Sequence, residues 1–274
     1  MDMTREVTGA QSVDRALGLL AIVRRNAEAG IGLTELLAES GLNKPTARRL
    51  LLALMRAQLV EQDTKSRRYH LGEEAFLMGA LAATRHSLLE FTGESLRRIS
   101  DKSEDSSFFS VRRQNHSVCL QREEGRFPIR THVLQAGAHH PLGIGAGSMA
   151  LLSDLADEEI EHIVAENEVA IAARFPNYTP QVIHEQVEAT RTRGWSLNPG
   201  LVLPNSWAIG VVVRYPDGRT AGALSLSAID SRMGPERQKT LAALLQGEAS
   251  RLTSKLERLF ARNRDGRAGK STET

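Results

Sequence analysis

The chain has 274 residues, of which 41% are hydrophobic and 25% are charged, and its formal net charge is +2. These values are ordinary for a soluble globular protein, and the length is sufficient for two domains. No apolar run approaches the ~20 residues that span a bilayer, which excludes a membrane-spanning helix. A single cysteine, Cys119, excludes an intrachain disulfide and favours a cytoplasmic location.

Charge is distributed unevenly along the chain. Residues 1–72 carry 11 basic and 8 acidic side chains, residues 73–250 carry 17 and 22, and residues 251–274 carry 7 and 3. The segment 43–68 alone contains seven basic and two acidic side chains. Because this short segment has a larger positive excess than the whole chain, it is typical of a nucleic-acid-binding surface. We therefore expect a DNA-facing head and a separate body.

The head begins with three predicted helices. The first is predicted to start at Ser12, with Val13, Ala16, Leu17 and Leu20 on its apolar face. The second spans the leucine-rich segment from residue 33, and the third runs from about residue 44 to about residue 58. Together they predict a small helical domain that begins near residue 10.

The turn between the second and third helices carries specific local signals. Gly41 suits the left-handed conformation that ends a helix. Asn43 is the predicted N-cap of the third helix, and Pro45 occupies its first turn, where a missing N–H costs little. Four apolar residues follow the i, i+3, i+4, i+7 spacing of a buried face, namely Ala47, Leu50, Leu51 and Leu54. The pattern predicts a helix-turn-helix whose third helix enters the major groove.

A predicted wing follows, in which two short β segments near residues 59–61 and 68–72 flank a basic loop. We expect Arg48 and Arg49 to read base edges, one of them through a bidentate contact with guanine. The remaining basic and polar residues are expected to contact phosphate or the minor groove and to fix the register on DNA. These residues are Lys44, Thr46, Lys65, Arg67 and Arg68.

The body is predicted to alternate strands and helices after a linker helix at residues 73–88. Predicted strands cover residues 106–111, 117–121, 127–134, 208–215 and 220–228. Predicted helices cover residues 146–155, 157–167, 181–193 and 235–262, and residues 263–274 are predicted to be a disordered tail. This order predicts an α+β fold with a mostly antiparallel sheet.

A second candidate site is the glycine-rich loop that begins at His140 and leads into a predicted helix. Free backbone N–H groups and the dipole of a helix N-terminus suit a carboxylate or phosphate, whereas a plain tight turn is the alternative interpretation. The loop lacks the Gly-Lys-Ser/Thr of a P-loop, and Ser148 replaces the third glycine of the dinucleotide fingerprint. Ser225 and Ser227 place two hydroxyls on one strand face, which indicates either a pocket lining or a solvated face.

Taken together, these segments resemble the IclR family of bacterial transcription regulators. The matching segments occur in the family's order along the chain: SVDRAL (12–17), LTEL (33–36), GLNKPT (41–46), RLL (49–51), YHLG (69–72), PL (141–142), GAGS (145–148), RGW (193–195) and ALSLS (223–227). The resemblance implies a winged helix-turn-helix at residues 10–72, a linker helix and a GAF-like effector-binding domain at residues 89–262. It also implies dimers or tetramers on palindromic promoter operators, without a cofactor, metal or membrane. Pro45 stands where the family often has serine, which implies one fewer hydroxyl contact with phosphate.

The resemblance further implies an effector pocket for a small carboxylate or aromatic metabolite. The implied effector-binding residues are Gly145, Ala146, Asn198, Trp207, Ser225 and Ser227. The two loop residues would offer backbone N–H groups, and the two serines would donate from the sheet. Asn198 stands where family members that bind acetate-type or glyoxylate-type acids have an acid, and Trp207 stands where a small residue can sit. These two departures imply an effector with an apolar or aromatic body and a carboxylate end.

The sequence therefore predicts a ligand-responsive DNA-binding regulator that is not an enzyme. One alternative is an enzyme or metal-binding protein built on the body, which would use Ser148 as nucleophile or His139 and His140 with His116 or His132. Adjacent histidines on an extended segment point in opposite directions, and the sequence around the serine is not Gly-x-Ser-x-Gly. The other alternative is a scaffold whose winged domain binds protein, which the salt dependence of DNA binding would distinguish.

Overall fold

The computed structural model describes residues 10–27, 29–85, 88–129 and 134–268. The chain divides into two compact units, one within residues 1–87 and the other within residues 88–274. We call them the winged unit and the sensor unit. Within the described ranges, no helix combines the length and the apolar character needed to cross a bilayer.

The winged unit contains four helices and a two-stranded sheet among its described residues. Its elements are α1 (Gln11–Arg25), α2 (Leu33–Ser40), α3 (Lys44–Arg56), β1 (Val60–Gln62), β2 (Tyr69–Leu71) and α4 (Glu73–Arg85). The strands β1 and β2 are antiparallel, and Ile31 adds an isolated antiparallel bridge to Tyr69. This arrangement confirms the predicted winged helix-turn-helix.

The predicted apolar face of α1 is half right. Ala16 and Leu20 pack against the core of the unit, but Val13 and Leu17 are more than half exposed, and the fully buried residues are Leu19, Ile22 and Val23. Aliphatic residues occur on both faces of α1, so their spacing alone does not identify the face that packs against α2 and α3. The helix also starts at Gln11 without a side-chain cap, so Ser12 is not its N-cap.

The sensor unit is an α+β fold, as predicted. Its elements are α5 (Leu88–Ser103), β3 (Ser106–Arg113), β4 (His116–Glu123), β5 (His139–Pro141), α6 (Ala146–Ser153), α7 (Asp157–Arg174), α8 (Pro180–Arg193), β6 (Ser196–Pro199), β7 (Ser206–Arg214), β8 (Thr220–Ile229) and α9 (Pro235–Ala268). The strands form one antiparallel sheet in the order β5-β4-β3-β8-β7-β6.

Helices cover both faces of this sheet. One face of β7, including Ile209, Val211 and Val213, packs in a core with α5 and α9. The other face packs with α6, α7 and α8, and Val212 contacts that second core. Because side chains alternate along a strand, neighbouring residues of β7 and β8 belong to different cores. The sheet is therefore the middle layer of three.

Several predicted element boundaries differ from the structure. The predicted strand at residues 127–134 is wrong for 127–129 and 134, which are not in a strand, while 130–133 lie outside the described residues. The edge strands β5 and β6 are three and four residues long and were not predicted. Helix α9 reaches Ala268, beyond the predicted end at Arg262, and residues 269–274 lie outside the described part of the chain.

Candidate functional sites

The orientation of α3 is fixed by the turn that precedes it, by its N-cap and by its buried face. Gly41 has φ of 64°, and its N–H donates to the carbonyl of Leu37 at 3.0 Å, which ends α2. The Asn43 side chain accepts a hydrogen bond from the Thr46 N–H at 3.0 Å, which caps α3. The four predicted apolar residues of α3 are all buried. Consequently Arg48 and Arg49 lie on the exposed side of the helix.

Most of the predicted DNA-contacting residues are accessible on the winged unit. Those with exposed side chains are Lys44, Pro45, Arg48, Arg49, Lys65 and Arg67, and Thr46 is partly buried. The first four and Thr46 come from α3, and the other two come from the loop between β1 and β2. Both groups of predicted residues therefore lie on parts of the unit that a nucleic acid can reach.

The wing loop is ordered by its own hydrogen bonds. The Asp63 carboxylate accepts hydrogen bonds from the Ser66 hydroxyl and the Ser66 N–H, both at 2.6 Å, and from the Lys65 N–H at 3.2 Å. The hydrogen bonds from Ser66 hold the pKa of Asp63 below its ordinary value. Gln62 Nε2 donates to the carbonyl of Arg67 at 2.8 Å, across the base of the loop. These contacts define how the loop presents Lys65 and Arg67.

Arg68 has a different role from the other basic residues. Its guanidinium donates to the carbonyls of Ala29 and Gly30 at 3.0 Å and to Glu35 Oε2 at 2.9 Å. Glu35 in turn accepts a hydrogen bond from the Gly32 N–H at 2.9 Å, at the start of α2. Arg68 therefore fastens the wing to the helix-turn-helix, and its donors are directed at the protein itself.

A small cavity lies at the N-terminus of α6 in the sensor unit. Its volume is about 50 Å³, which is room for about three to five water molecules. Hydroxyl and amide groups dominate the polar part of its lining. These polar residues are Ser110, Ser117, His140, Ser148, Asn198, Ser206, Ser225 and Ser227. Phe108, Leu134, Ile144, Val202 and Ala208 supply the apolar part.

Helix α6 is pressed against the sheet by two close approaches. A Cβ atom built on Gly210 of β7 would lie 2.7 Å from the carbonyl oxygen of Ala146, so only glycine fits there. A Cβ atom on Gly147 would lie 3.0 Å from Ser225 Oγ. The Ser196 hydroxyl donates to the same Ala146 carbonyl at 2.6 Å. These contacts fix the first turn of α6 beside the cavity.

The first turn of α6 presents donors to the cavity, but not all the predicted ones. The Gly145 N–H donates to the Tyr178 hydroxyl oxygen at 3.1 Å and is therefore engaged within the protein. Ala146 and Gly147 also line the cavity. Their backbone N–H groups donate no hydrogen bond to any of the described residues. The available pair of donors is thus one residue further along the chain than the predicted pair.

Asn198 lines the cavity with its amide held in one orientation. Its Oδ1 accepts hydrogen bonds from the Tyr178 hydroxyl at 3.1 Å and from the Leu201 N–H at 3.0 Å. With the amide oxygen occupied in this way, Nδ2 is the group that remains available as a donor. Burial raises the pKa of Tyr178 above its ordinary value, so the tyrosine is a neutral donor.

Trp207 lies on the opposite face of the sheet from the cavity. Its neighbour Ala208 lines the cavity, and strand alternation turns Trp207 toward the core formed with α5 and α9. The expected contact between Trp207 and an effector therefore has no geometric basis in this structure. By contrast, Ser225 and Ser227 point to the cavity face, as their spacing indicated.

The cavity lining is uncharged near neutral pH. Burial lowers the pKa of His140 to about 4, with a smaller contribution from the positive charge of Arg174. The His140 ring packs edge-on against Phe175, with 5.3 Å between the ring centroids. The histidine is therefore a neutral hydrogen-bonding and packing group.

The serine that suggested a nucleophile has a structural role. The Ser148 hydroxyl accepts a hydrogen bond from the Gly143 N–H at 2.9 Å and donates to the Pro141 carbonyl at 3.3 Å, which closes the glycine loop. In the described part of the chain, no group of three His, Cys, Asp or Glu residues is placed to hold a metal ion. His132 lies outside the described residues.

Some cavity residues were not predicted from the sequence. They are Ser110, Ser117 and Ser206. Tyr178, which hydrogen-bonds to the lining residues Gly145 and Asn198, was not predicted either. Ser110 of β3 and Ser117 of β4, each next to a buried valine, were a weak signal, because a small hydroxyl side chain beside apolar residues suits a polar cavity. Nothing local distinguishes Tyr178, since its partners Gly145 and Asn198 are distant in the chain.

Protein-family models match both units of the chain. Residues 12–64 match the model described as the IclR helix-turn-helix domain. Residues 80–254, more than half of the chain, match the model described as the C-terminal domain of the bacterial transcriptional regulator IclR. The two matches follow the order of the winged and sensor units.

Individual relatives match over nearly the full length. The HTH-type transcriptional repressor AllR of Klebsiella pneumoniae is 23% identical over 254 residues, which are 90% of each chain. A solved IclR transcriptional regulator from Alicyclobacillus acidocaldarius superposes with a TM-score of 0.76 at 21% identity, over 91% of this chain and 100% of that one. An IclR homologue from Microbacterium hydrocarbonoxydans, solved in complex with 4-hydroxybenzoate, superposes with a TM-score of 0.72 at 14% identity. The match covers 90% of this chain and 99% of that one. The two solved structures share the fold described above.

Proposed function

The chain belongs to the IclR family of bacterial transcriptional regulators, and we propose that it is a cytoplasmic, ligand-responsive repressor or activator. It binds duplex DNA at a promoter operator through α3 and the wing, and it senses a small carboxylate in the cavity at α6. It performs no catalysis and uses no cofactor. The observation that carries the proposal is the buried apolar face of α3, which leaves the basic residues of that helix exposed.

The proposed DNA contacts follow from the exposed side chains. Arg48 and Arg49 are on the open side of the recognition helix, and one of them makes the bidentate contact with guanine that contributes sequence discrimination. Lys44, Lys65 and Arg67 contact phosphates or the minor groove and fix the register. We leave Arg68 out of this set because its guanidinium is bound to Gly30 and other residues of the winged unit.

We propose that the protein acts as a homodimer on a palindromic operator, with a tetramer as the higher assembly. Helix α4 supports this proposal because it exposes large apolar side chains that a monomer would leave in water. The exposed fractions are 73% for Phe76, 44% for Leu77, 53% for Met78 and 72% for Leu81. Contiguous exposed apolar residues of this size indicate a protein interface. A dimer would place two recognition helices about 34 Å apart, one turn of DNA.

For the effector we propose a compact carboxylate. Its carboxylate would accept hydrogen bonds from the N–H groups of Ala146 and Gly147, where the positive end of the α6 dipole also favours an anion. Asn198 Nδ2 and the hydroxyls of Ser225 and Ser227 would complete the set of donors. An amide at position 198 adds a donor without a negative charge, which suits an anionic ligand.

The size of the cavity favours an acid with few non-hydrogen atoms. The 50 Å³ volume and the many hydroxyls of the lining fit a small polar acid in the structure as it stands. Because Trp207 faces away from the cavity, it gives no reason to exclude such a ligand. A larger aromatic acid, like the 4-hydroxybenzoate bound by the Microbacterium homologue, is the second candidate and would require the cavity to open.

Two measurements test this proposal. The first is binding of the purified protein to the DNA upstream of its own gene at low ionic strength, for which we expect specific, salt-dependent association. The second is a thermal-shift screen of small aliphatic acids and aromatic acids, with the matching amides as neutral controls. We expect small acids to raise the melting temperature and their amides to have no effect. Absence of DNA binding would reject the regulator proposal, and stabilisation by amides would reject the carboxylate.

A further inference from the structure

A large apolar side chain is exposed on α3. Leu52 is 57% exposed, whereas the other leucines of this helix are buried in the core of the winged unit. Those buried leucines are Leu50, Leu51 and Leu54. Leu52 is therefore not part of the core that positions the helix, and its side chain is available for a contact outside the unit.

Leu52 lies on the same face of α3 as the two arginines that we expect to read bases. Positions 45, 48, 49 and 52 follow the spacing i, i+3, i+4, i+7, which places them along one side of a helix. All four side chains are exposed. The recognition helices of homeodomains contact base edges through residues at this same spacing. The geometry of α3 therefore presents Leu52 to the surface that Arg48 and Arg49 contact.

The surroundings of Leu52 on the helix are cationic. Arg48, Arg49 and Arg56 are exposed and lie three or four residues from Leu52, which makes them its neighbours on the helix surface. Within the described part of the winged unit, the ion pairs are formed by other arginines, Arg25 with Glu39 and Arg68 with Glu35. Uncompensated cations around a leucine disfavour an apolar protein partner, whereas they suit a DNA duplex, whose phosphates attract them.

The base edges in the major groove offer Leu52 one kind of apolar group. Thymine carries a C5-methyl group there, whereas the other three bases present hydrogen-bonding atoms. Arg48 and Leu52 are separated by about 6 Å along the helix axis, at about 1.5 Å per residue. This length corresponds to about two base pairs, at about 3.4 Å per pair. A thymine in contact with Leu52 would therefore lie within about two base pairs of a guanine bound by Arg48.

We propose that Leu52 is a specificity-determining residue, which packs against the C5-methyl group of a thymine in the operator. The inference rests on the proposed function, because the thymine belongs to the duplex that α3 enters. The leucine adds an apolar contact to the hydrogen bonds of Arg48 or Arg49, so each half-site should contain a thymine close to the guanine. Burial of one methyl-sized group corresponds to about a fourfold gain in affinity.

The test removes the thymine methyl group and the leucine side chain separately and together. In the DNA upstream of the protein's own gene, each thymine is replaced in turn by deoxyuridine, which lacks the methyl group and keeps the hydrogen-bonding pattern. At the contacted thymine, the parent should bind about fourfold more weakly. Leu52→Ala should bind the unmodified duplex more weakly than the parent does, and the same deoxyuridine should cost it no further affinity. Such non-additivity indicates a direct contact.

Two further variants serve as controls. Leu17→Ala removes a leucine of α1 that is 55% exposed, close to the value for Leu52, and it should retain the parent's sensitivity to deoxyuridine. Leu52→Met keeps an apolar side chain of similar volume, so it should retain most of the parent's affinity and its sensitivity. Leu52→Ala should fold, because the side chain is exposed and alanine favours helices.

Each other outcome overturns the inference. If the parent binds its upstream DNA but no deoxyuridine affects it more than it affects Leu52→Ala, then Leu52 contacts no thymine methyl group, although the regulator proposal stands. If Leu52→Ala sediments as a smaller species than the parent does, Leu52 belongs to a protein interface. If the parent itself binds no upstream DNA, the proposed function fails, and this inference fails with it.

Discussion

The winged unit and the sensor unit hold their functional groups in opposite ways. In the winged unit, Arg48 and Lys65 are exposed, and their positions follow from a helix phase and a short loop. In the sensor unit, the candidate ligand-binding groups are buried around a cavity and come from elements far apart in sequence, such as Ser110 and Ser225, whose strands pair directly. A recognition surface is thus encoded locally, whereas the cavity depends on the register of the whole sheet.

The largest effect should come from changing the charge inside the cavity. Asn198→Asp retains an acceptor for Tyr178 and Leu201 but replaces the Nδ2 donor with negative charge. Removing a hydrogen bond to an anion costs about 1.5–3 kcal/mol, so affinity for a stabilising carboxylate should fall by about 10- to 150-fold or more. Isothermal titration calorimetry measures the change.

Two further variants keep this prediction testable if the aspartate destabilises the fold. Ser225→Ala removes a neutral donor, worth about 0.5–1.5 kcal/mol, and should weaken binding by about 2- to 13-fold. Trp207→Phe changes the opposite face of the sheet and should leave ligand affinity within about twofold. Equal losses in all three variants would mean that the ligand does not occupy this cavity.

In the winged unit, substitutions in α3 and in the wing should have different effects: the first should reduce sequence preference, and the second should reduce overall DNA affinity. Arg48→Ala removes a candidate base contact worth about 1–3 kcal/mol of discrimination, so the preference for operator over random DNA should fall by about 5- to 150-fold. Lys65→Ala should weaken binding to both duplexes equally and reduce the salt slope by about 0.9. Fluorescence anisotropy at several salt concentrations measures both quantities.

Identical behaviour of these two variants would contradict the assignment of the helix to bases and of the wing to phosphate. Arg49→Ala is the companion variant, because either arginine of α3 can supply the guanine contact. If neither arginine variant changes the preference, base readout lies elsewhere in the winged unit.

The sensor unit should also lose stability in mild acid because of His140. Burial lowers its folded-state pKa to about 4, whereas an unfolded histidine has a pKa of about 6.5. Between these values the unfolded chain binds more protons, so stability falls as pH decreases, by about 2 kcal/mol at pH 5 relative to neutral pH. Both tryptophans, Trp195 and Trp207, lie in this unit, so tryptophan fluorescence during denaturation reports its unfolding alone.

His140→Phe is the control, because it removes the titrating group and retains a ring against Phe175. Between neutral pH and pH 5, the free energy of unfolding of the variant should therefore fall by about 2 kcal/mol less than that of the parent. An unchanged pH dependence would show that His140 is protonated in the folded state or that other groups dominate.

A smaller effect distinguishes two kinds of glycine in the two units. Gly210→Ala places a Cβ 2.7 Å from the Ala146 carbonyl oxygen and should destabilise the sensor unit by about 1–3 kcal/mol. Gly41→Ala has open space around it but a φ of 64°, so it should cost the winged unit about 1 kcal/mol.

The comparison variant for each glycine follows from its constraint. Gly41→Asn should recover part of the loss, since asparagine tolerates the left-handed region, whereas Gly210→Asn should be worse than alanine. Circular dichroism follows both units, and tryptophan fluorescence should detect only the Gly210 variants. If Gly41→Asn is less stable than Gly41→Ala, the space around Gly41 and not its backbone conformation limits substitution there.

The sequence alone predicted more of the winged unit than of the cavity. The C-cap of α2 at Gly41, the N-cap of α3 at Asn43 and the buried apolar residues of α3 could be predicted, because caps and helix phase depend on neighbouring residues only. The role of Arg68 could not, because its acceptors Ala29 and Gly30 belong to a loop and lie 39 and 38 residues away in the sequence.

For the cavity, spacing predicted that Ser225 and Ser227 share a face, but not which core that face meets. Gly145 was predicted to donate to a ligand, but its N–H is bound to Tyr178, which the sequence did not indicate. Trp207 was predicted to contact the ligand, but the alternation of side chains along β7 turns it toward the other core. The short edge strands β5 and β6 also carry too few residues for an alternating pattern to emerge. Such features depend on tertiary pairing, which no local window of the sequence contains.

The central claim is that the DNA-binding winged unit and the ligand-binding sensor unit are energetically coupled. The most direct test measures the affinity of the full chain for its own upstream DNA with and without a carboxylate that stabilises it, and the affinity for that carboxylate with and without DNA. Linkage requires the two ratios to be equal, and we predict a common factor between about 5 and 150. A ratio of one in both measurements, or no binding to this DNA at low ionic strength, would contradict the claim.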